Sequence, residues 1–286
     1  MIYLKKIHLY DEAWESSHFQ NVNSTTADEY YPLNLFSLKL NRLDFEDITI
    51  LYGGNGSGKT TLLNIIAEKL RLIRKTKYTR TEMFDFFVQN STCQTETKSI
   101  PPKSKILASD DIFDNILNVR NENSILKEKK LHANDDIPKI KNIDLSNPDI
   151  VNSFLLQSES RKLTQRKFII KQIGHLKRQY SNGENALIYF NQQIESDALY
   201  LLDEPENSLS PEYQLELKML IEDSTKYKNC QFIIATHSPF MLALKDAKIY
   251  NIDNSPVTVE RWYKLENIRI YFDFFKKYED LFNSKF

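Results

Sequence analysis

Cysteine is almost absent from this chain. Cys93 and Cys230 stand far apart, with no CxxC and no Cys/His cluster, so the 2 cysteines argue against a disulfide framework and against a structural zinc site. A reducing, cytoplasmic setting is expected. No apolar run approaches the ~18 residues needed to span a bilayer, and the opening MIYLKKIHLYDEAWESS places charges through its apolar positions, so no signal-peptide core is predicted. An excess of charge is lacking too: 38 Lys and Arg face 39 Asp and Glu, so bulk charge does not point to nucleic acid. The expectation is a soluble protein, and its 286 residues suffice for one large domain or two small ones with a substantial core.

Glycine is scarce, with 6 in the chain, yet Gly53, Gly54, Gly56 and Gly58 fall within six consecutive residues and Gly183 lies in another short polar segment. A chain this sparing with glycine places it where the backbone must bend or approach something closely.

What is present reads as alternating strands and helices. Met1 to Leu9 and Leu33 to Leu43 carry strand patterns, and Ile48 to Tyr52 is a continuous apolar run of the buried-strand type. Ser16 to Glu29 reads as a loop. From Thr60, Leu62, Leu63, Ile66, Ala67 and Leu70 share one helical face. Between residues 72 and 179 the pattern weakens, with a polar linker at NSTCQTETKSIPPKSK and a charged helical stretch from Asp110 to His132, and an inserted, mostly helical subdomain is expected there. Alternation returns as helix (Asn185 to Gln193), strand (Ala198 to Leu202), helix (Glu212 to Tyr227) and strand (Gln231 to Thr236). A final strand pair, Lys248 to Asp253 with Val257 to Trp262, precedes an aromatic-rich helix, Glu266 to Phe282, expected to pack, with a partner-docking face as the alternative. Buried strands alternating with helices predict an α/β core around a mostly parallel sheet.

Gly53 to Thr60, GGNGSGKT, satisfies G-x-x-x-x-G-K-[ST] and sits between an apolar strand and a helix, where a phosphate cradle belongs. Glycines let main-chain N–H groups converge on phosphate oxygens, and the helix N-terminus adds partial positive charge. Lys59 is expected on the β- and γ-phosphates and the Thr60 hydroxyl on Mg²⁺. Asp203 and Glu204 end an apolar strand, at the edge where open α/β sheets bind ligands. Asp203 would support the metal and Glu204 would act as general base on water. Tyr180-Ser181-Asn182-Gly183-Glu184 precedes a helix and reads either as a donor loop for a phosphate or as an ordinary N-cap. His237 closes the strand Phe232 to Thr236.

GGNGSGKTTLLNIIA, YSNGE, LYLLDEPENSLSPEYQ and FIIATHSP occur in this order and resemble the Walker A, signature, Walker B with D-loop, and histidine-switch motifs of ABC-type ATPases. The resemblance is to the compact, soluble SMC/RecF-like "AAA family" branch of bacteria, and it covers residues 1–70 and 170–262. It implies one α/β domain over 1–286, an ABC-type P-loop core with a mixed sheet and flanking helices, and 72–179 as the insert. It implies that Gly53, Gly54, Asn55, Gly56, Ser57, Gly58, Lys59, Thr60 and Thr61 bind ATP, and that Mg²⁺ lies on Thr60 and Asp203. Glu204 and His237 would be catalytic. Ser181, Gly183 and Glu184 would reach the γ-phosphate held by a second subunit of a homodimer, and Ser208 to Ser210 would form the D-loop at the seam. The signature reads SNGE where transporters have SGGQ. The glutamine loop has no clear equivalent among Gln89 and Gln94, and Asp110 or Asp111 is the better placed metal-facing candidate; caps of a helix are the alternative. Arg161 to Arg178 holds 7 Lys or Arg and no acid; it could contact nucleic acid, contact nucleotide across the dimer, or be a solvated face.

The function expected is an ATPase that dimerises around ATP and drives a separate effector such as a nuclease, in DNA maintenance or anti-phage defence, with no membrane involved. The alternative is the nucleotide-binding subunit of an ABC transporter.

Overall fold

The computed structural model describes residues 1–9, 32, 40–78, 80–96, 99–132, 181–207 and 209–283. The chain divides into two units, Met1–Ile112 with Asn182–Phe286, and Phe113–Ser181. The chain forms β1 (Leu4–His8), β2 (Arg42–Asp44), β3 (Ile48–Tyr52), α1 (Lys59–Lys69), α2 (Glu82–Asn90), β4 (Thr92–Thr95) and β5 (Lys105–Ala108). Then come α3 (Ser109–His132), α4 (Asn182–Gln193), β6 (Leu199–Asp203), α5 (Pro211–Tyr227) and β7 (Gln231–Ala235). The chain continues with α6 (Pro239–Leu242), β8 (Lys248–Asn251), β9 (Thr258–Glu260), α7 (Glu266–Lys277) and α8 (Glu279–Asn283).

The principal sheet of the first unit has the order β5-β6-β7-β3-β8-β9. All its pairings are parallel except β8 with β9, so the sheet is mixed. Every residue of β3, β6 and β7 is buried. That pattern, rather than alternation, is what a central parallel strand covered on both faces requires, and it is why these segments read as unbroken apolar runs. Helix α1 supplies cover through Leu62, Leu63, Ile65, Ile66 and Ala67. Truncating a side chain of this set costs on the order of 2 to 5 kcal/mol.

A second sheet, antiparallel and ordered β2-β1-β4, joins the same core through Leu4, Ile7 and Leu43. One buried amide fastens it to the first sheet: Gln231 Oε1 accepts from the N–H groups of Tyr3 and Leu4, both at 2.8 Å. Its Nε2 donates to Leu4 O at 2.9 Å and Glu46 O at 3.0 Å. All four hydrogen-bonding capacities of the amide are used.

Several expectations shift. The structure places β4 and β5 inside the stretch expected as an insert, and the separate unit begins at Phe113. Strand β4 is polar with alternating exposure, and β5 is four residues long, so neither carries a long apolar run. The final helix breaks at Tyr278 into α7 and α8 and buries Ile268 alone, leaving Tyr271, Phe272, Phe274, Phe275 and Phe282 exposed rather than packed. Of the span Leu33 to Leu43, residues 33–39 lie outside the described set, as do the loop from Ser16 to Glu29, Tyr180, Ser208 and the basic stretch from Arg161 to Arg178.

Candidate functional site

Because β5, β6, β7, β3 and β8 run in one direction, their C-terminal ends share one edge of the sheet. Across the middle of that edge, Asp203 pairs with Ala235 and Leu51 with Ala235. The glycine loop, Glu204, His237 and Asp253 all follow directly from these ends, which is where ligands of such sheets bind.

The cradle is built from main chain. Gly56 and Gly58 adopt φ values of 79° and 100°, a region that L side chains enter only with strain. Gly58 is the N-cap residue of α1 and no side chain caps the helix, in contrast to Thr81, which accepts from Phe84 N–H at the start of α2. No N-cap side chain therefore competes with an anion at the start of α1. Gly53 has no room for a side chain: an added Cβ would stand 2.7 Å from Ser57 Oγ and 3.0 Å from Asp253 Oδ1. The Lys59 ammonium, on a buried side chain, donates to the carbonyls of Gly53 at 2.7 Å and Gly54 at 2.9 Å, holding a positive charge against the loop. Asp253 closes the loop from outside, its two oxygens accepting from Gly54 N–H at 3.0 and 2.8 Å.

Beside the cradle, the Thr60 hydroxyl donates to Asp203 Oδ1 at 2.9 Å. Burial raises the Asp203 carboxyl to about 6; the Thr60 hydrogen bond works against the rise and the neighbouring Glu204 adds to it. A hydroxyl and a carboxylate in contact next to a phosphate cradle fit Mg²⁺, which takes one or two protein oxygens and completes its shell with phosphate and water. Among the described residues no cluster of three or more His, Cys, Asp or Glu forms an all-protein metal cage. Arg74 lies behind this pair. Its Nη2 donates to Asn64 Oδ1 at 2.7 Å, its guanidinium stacks 4.2 Å above the Tyr78 ring, and desolvation lowers its pKa against the pull of Tyr78, Asp111 and Asp203.

Glu204 has φ of 45°, a left-handed conformation unusual for a long side chain and typical of functional turns. Its N–H is pinned to Ala235 O at 2.9 Å, and Asn207 Nδ2 donates to its Oε2 at 3.0 Å. His237 Nδ1 stands 4.0 Å from Glu204 Oε1. The structure therefore gathers the glycine loop, Lys59, Thr60, Asp203, Glu204 and His237 on one edge. Thr61 is buried in α1.

Asp110 and Asp111 follow the end of β5, where Ala108 pairs with Asp203, and the remaining predicted residues lie on other elements. Gly183 and Glu184 lie in the first turn of α4, Gly183 buried, and Ser181 immediately precedes that helix. Asp111 is buried and uses both carboxylate oxygens on main chain, accepting from Thr76 N–H at 3.0 Å and Ala108 N–H at 2.9 Å, which gives it the fastening role that capping implied. Asp110 is exposed, Gln89 lies in α2 and Gln94 in β4.

Three residues at the site escaped sequence reasoning. Asp253 reads as a turn residue in NIDNSP, Arg74 as one more surface cation, and Glu206 as part of the D-loop string. Only Glu206 had a signal available, as a carboxylate two positions beyond the expected base.

A family profile described as ABC transporter matches residues 36–207. The chain belongs to the ABC transporter family. A second profile, described as "AAA domain, putative AbiEii toxin, Type IV TA system", matches residues 178–243. No curated protein matches the chain. Among solved structures, the Smc head domain of Pyrococcus furiosus bound to the C-terminal domain of ScpA is 14% identical, covers 96% of this chain and 100% of its own, and has a TM-score of 0.46. A nucleotide-free ATP-binding cassette from an ABC transporter is 15% identical, with coverage of 91% and 92% and a TM-score of 0.44. The SMC head domain from Thermotoga maritima is 12% identical, with coverage of 91% and 99% and a TM-score of 0.38. Among the described residues of this ABC-type ATPase domain, no helix is long and apolar enough to cross a membrane.

Proposed function

We propose that the protein binds ATP with Mg²⁺ at the C-terminal edge of its principal sheet and hydrolyses it, two copies closing around the nucleotide to act on a separate partner. The observation that carries this reading is the meeting of Thr60 and Asp203 at 2.9 Å, beside a buried Lys59 and next to Glu204. Lys59 exchanges its carbonyl partners for the β- and γ-phosphates, and the loop and α1 N–H groups take the remaining oxygens. Mg²⁺ supplies neutralisation of the phosphate charge that builds up as the γ-phosphoryl group leaves. Thr60 and Asp203 would hold that ion. Glu204, kept in place by Asn207, accepts the proton of the attacking water, and His237 orients toward the γ-phosphate.

In this proposal Ser181, Gly183 and Glu184 complete the site of the second copy. The nucleotide then acts as adhesive between two chains, and its hydrolysis releases them. The partner is a separate effector such as a nuclease, in DNA maintenance or anti-phage defence. The match to a profile described as ABC transporter favours the second reading, a nucleotide-binding subunit; co-purification with a membrane protein would establish it.

The test mixes two inactive variants, Lys59→Ala and Ser181→Arg. A mixed dimer assembles one intact composite site, so ATP hydrolysis should partly recover. A Ser181→Arg protein that hydrolyses ATP like wild type, as a monomer at all concentrations, would overturn the shared site.

A further inference from the structure

We infer that Glu206 is the positioning residue of His237, the acceptor that takes the imidazole Nδ1–H and leaves Glu204 free for water. This rests on the proposed hydrolysis at this edge. Glu206 is 7% exposed. Its Oε1 gathers three donors from one loop, the Thr236 hydroxyl at 2.5 Å, the His237 N–H at 3.1 Å and the Ser238 N–H at 3.2 Å. The loop that carries the imidazole is thus built on this carboxylate. Its other oxygen, Oε2, is buried with no hydrogen-bond partner among the described residues. An acceptor sealed from water and left unmade is costly, and it gains more from a new donor than one that water can already reach.

His237 Nδ1 lies 3.9 Å from Glu206 Oε1 and 4.0 Å from Glu204 Oε1, outside hydrogen-bonding distance of both. A single Nδ1–H can serve only one of them. Were it to serve Glu204, whose Oε2 already accepts from Asn207, a second donor would stabilise the ionised carboxylate and make it a weaker base toward water. Burial favours Glu206: its side chain is 6% exposed, that of Glu204 27%. The imidazole side chain is 44% exposed and has room to close the gap. With Nδ1–H on Glu206, the tautomer is fixed and Nε2 faces outward, the arrangement by which a carboxylate commonly sets which histidine nitrogen reacts.

Glu206 belongs to the same backbone turn as Glu204, in which Asn207 N–H donates to the main-chain Glu204 O at 3.1 Å and Leu209 N–H to the main-chain Glu206 O at 3.0 Å.

The test is Glu206→Gln, which keeps the volume and an acceptor for the three donors while removing the charge. We expect kcat to fall about tenfold or more with KM for ATP unchanged. In a His237→Ala background the same substitution should add almost nothing, since the two residues act as one unit. Imidazole ¹⁵N spectra of the nucleotide-free protein, with His237 assigned by its loss in His237→Ala, should show Nδ1 protonated in wild type and the other tautomer in Glu206→Gln. A wild-type spectrum with Nε2 protonated would overturn the inference even if the variant fails to fold. So would wild-type kcat in Glu206→Gln, or a loss that adds fully to that of His237→Ala. If the wild-type chain hydrolyses no ATP, the proposed function falls while the spectra still judge Glu206.

Discussion

The two halves of the site are held by different means. The cradle owes its shape to backbone: left-handed glycines, an N-cap with no side chain, and an ammonium against carbonyls contributed by residues 53–59. The hydrolytic half owes its shape to side-chain contacts among α1, the turn after β6 and the end of β7, with Thr60 on Asp203, Asn207 on Glu204 and Thr236 on Glu206. The first half is local and steric, and should fail by losing ligand. The second rests on polar side-chain contacts, two of the three long-range, and should fail by losing rate.

Substitutions can break that contrast or sharpen it. The largest effect expected is from Lys59→Ala, which removes the main positive charge and should abolish ATP binding by calorimetry; retained micromolar binding would break the contrast. Glu204→Gln should bind ATP normally and lower the hydrolysis rate by about 10²- to 10⁴-fold in a phosphate-release assay. Gly53→Ala should weaken ATP binding, because the new methyl meets Ser57 and Asp253 whatever the backbone does. Gly56→Ala meets nothing within 4 Å and should cost only on the order of 1 kcal/mol of stability through its positive φ, measured by denaturant melting.

A further effect concerns the dependence of stability on pH. Burial lifts the Asp203 carboxyl from 3.8 to about 6, so the folded chain holds this proton more tightly than the unfolded one. The stability so gained is fully present below pH ~4 and is lost as pH rises through about 6. Asp203→Asn should therefore raise Tm by a few degrees at pH 7.5 without nucleotide, with the difference vanishing toward pH 4; a full shift corresponds to on the order of 3 kcal/mol. Wild-type binding of ATP with Mg²⁺ should weaken as pH falls through about 6, while binding without the metal changes less.

The contrast also explains what was legible in the sequence. The apolar runs at Ile48 to Tyr52, Ala198 to Leu202 and Gln231 to Thr236 announce central strands, because burial on both faces leaves no other composition open to them. The cradle is legible because its parts are consecutive. Asp253 and Arg74 are not, since a carboxylate or guanidinium in a turn looks the same whether it is solvated or, as with Asp253, bound to a backbone some 200 residues away. Strand β4 stayed hidden for a similar reason: its pairing with β1 comes from main-chain bonds that its polar side chains do not advertise.

Order of synthesis gives the Gln231 amide another meaning. Strand β3 sits between β7 and β8, and β1 is fastened to an amide 228 residues downstream of Tyr3. Translation at ~5 to 20 residues per second leaves β3 without its native neighbours, and β1 without its amide, for roughly ten to fifty seconds. The nascent chain must carry apolar β3 through that interval unpaired, and the core sheet can close only once β7 and β8 have been made.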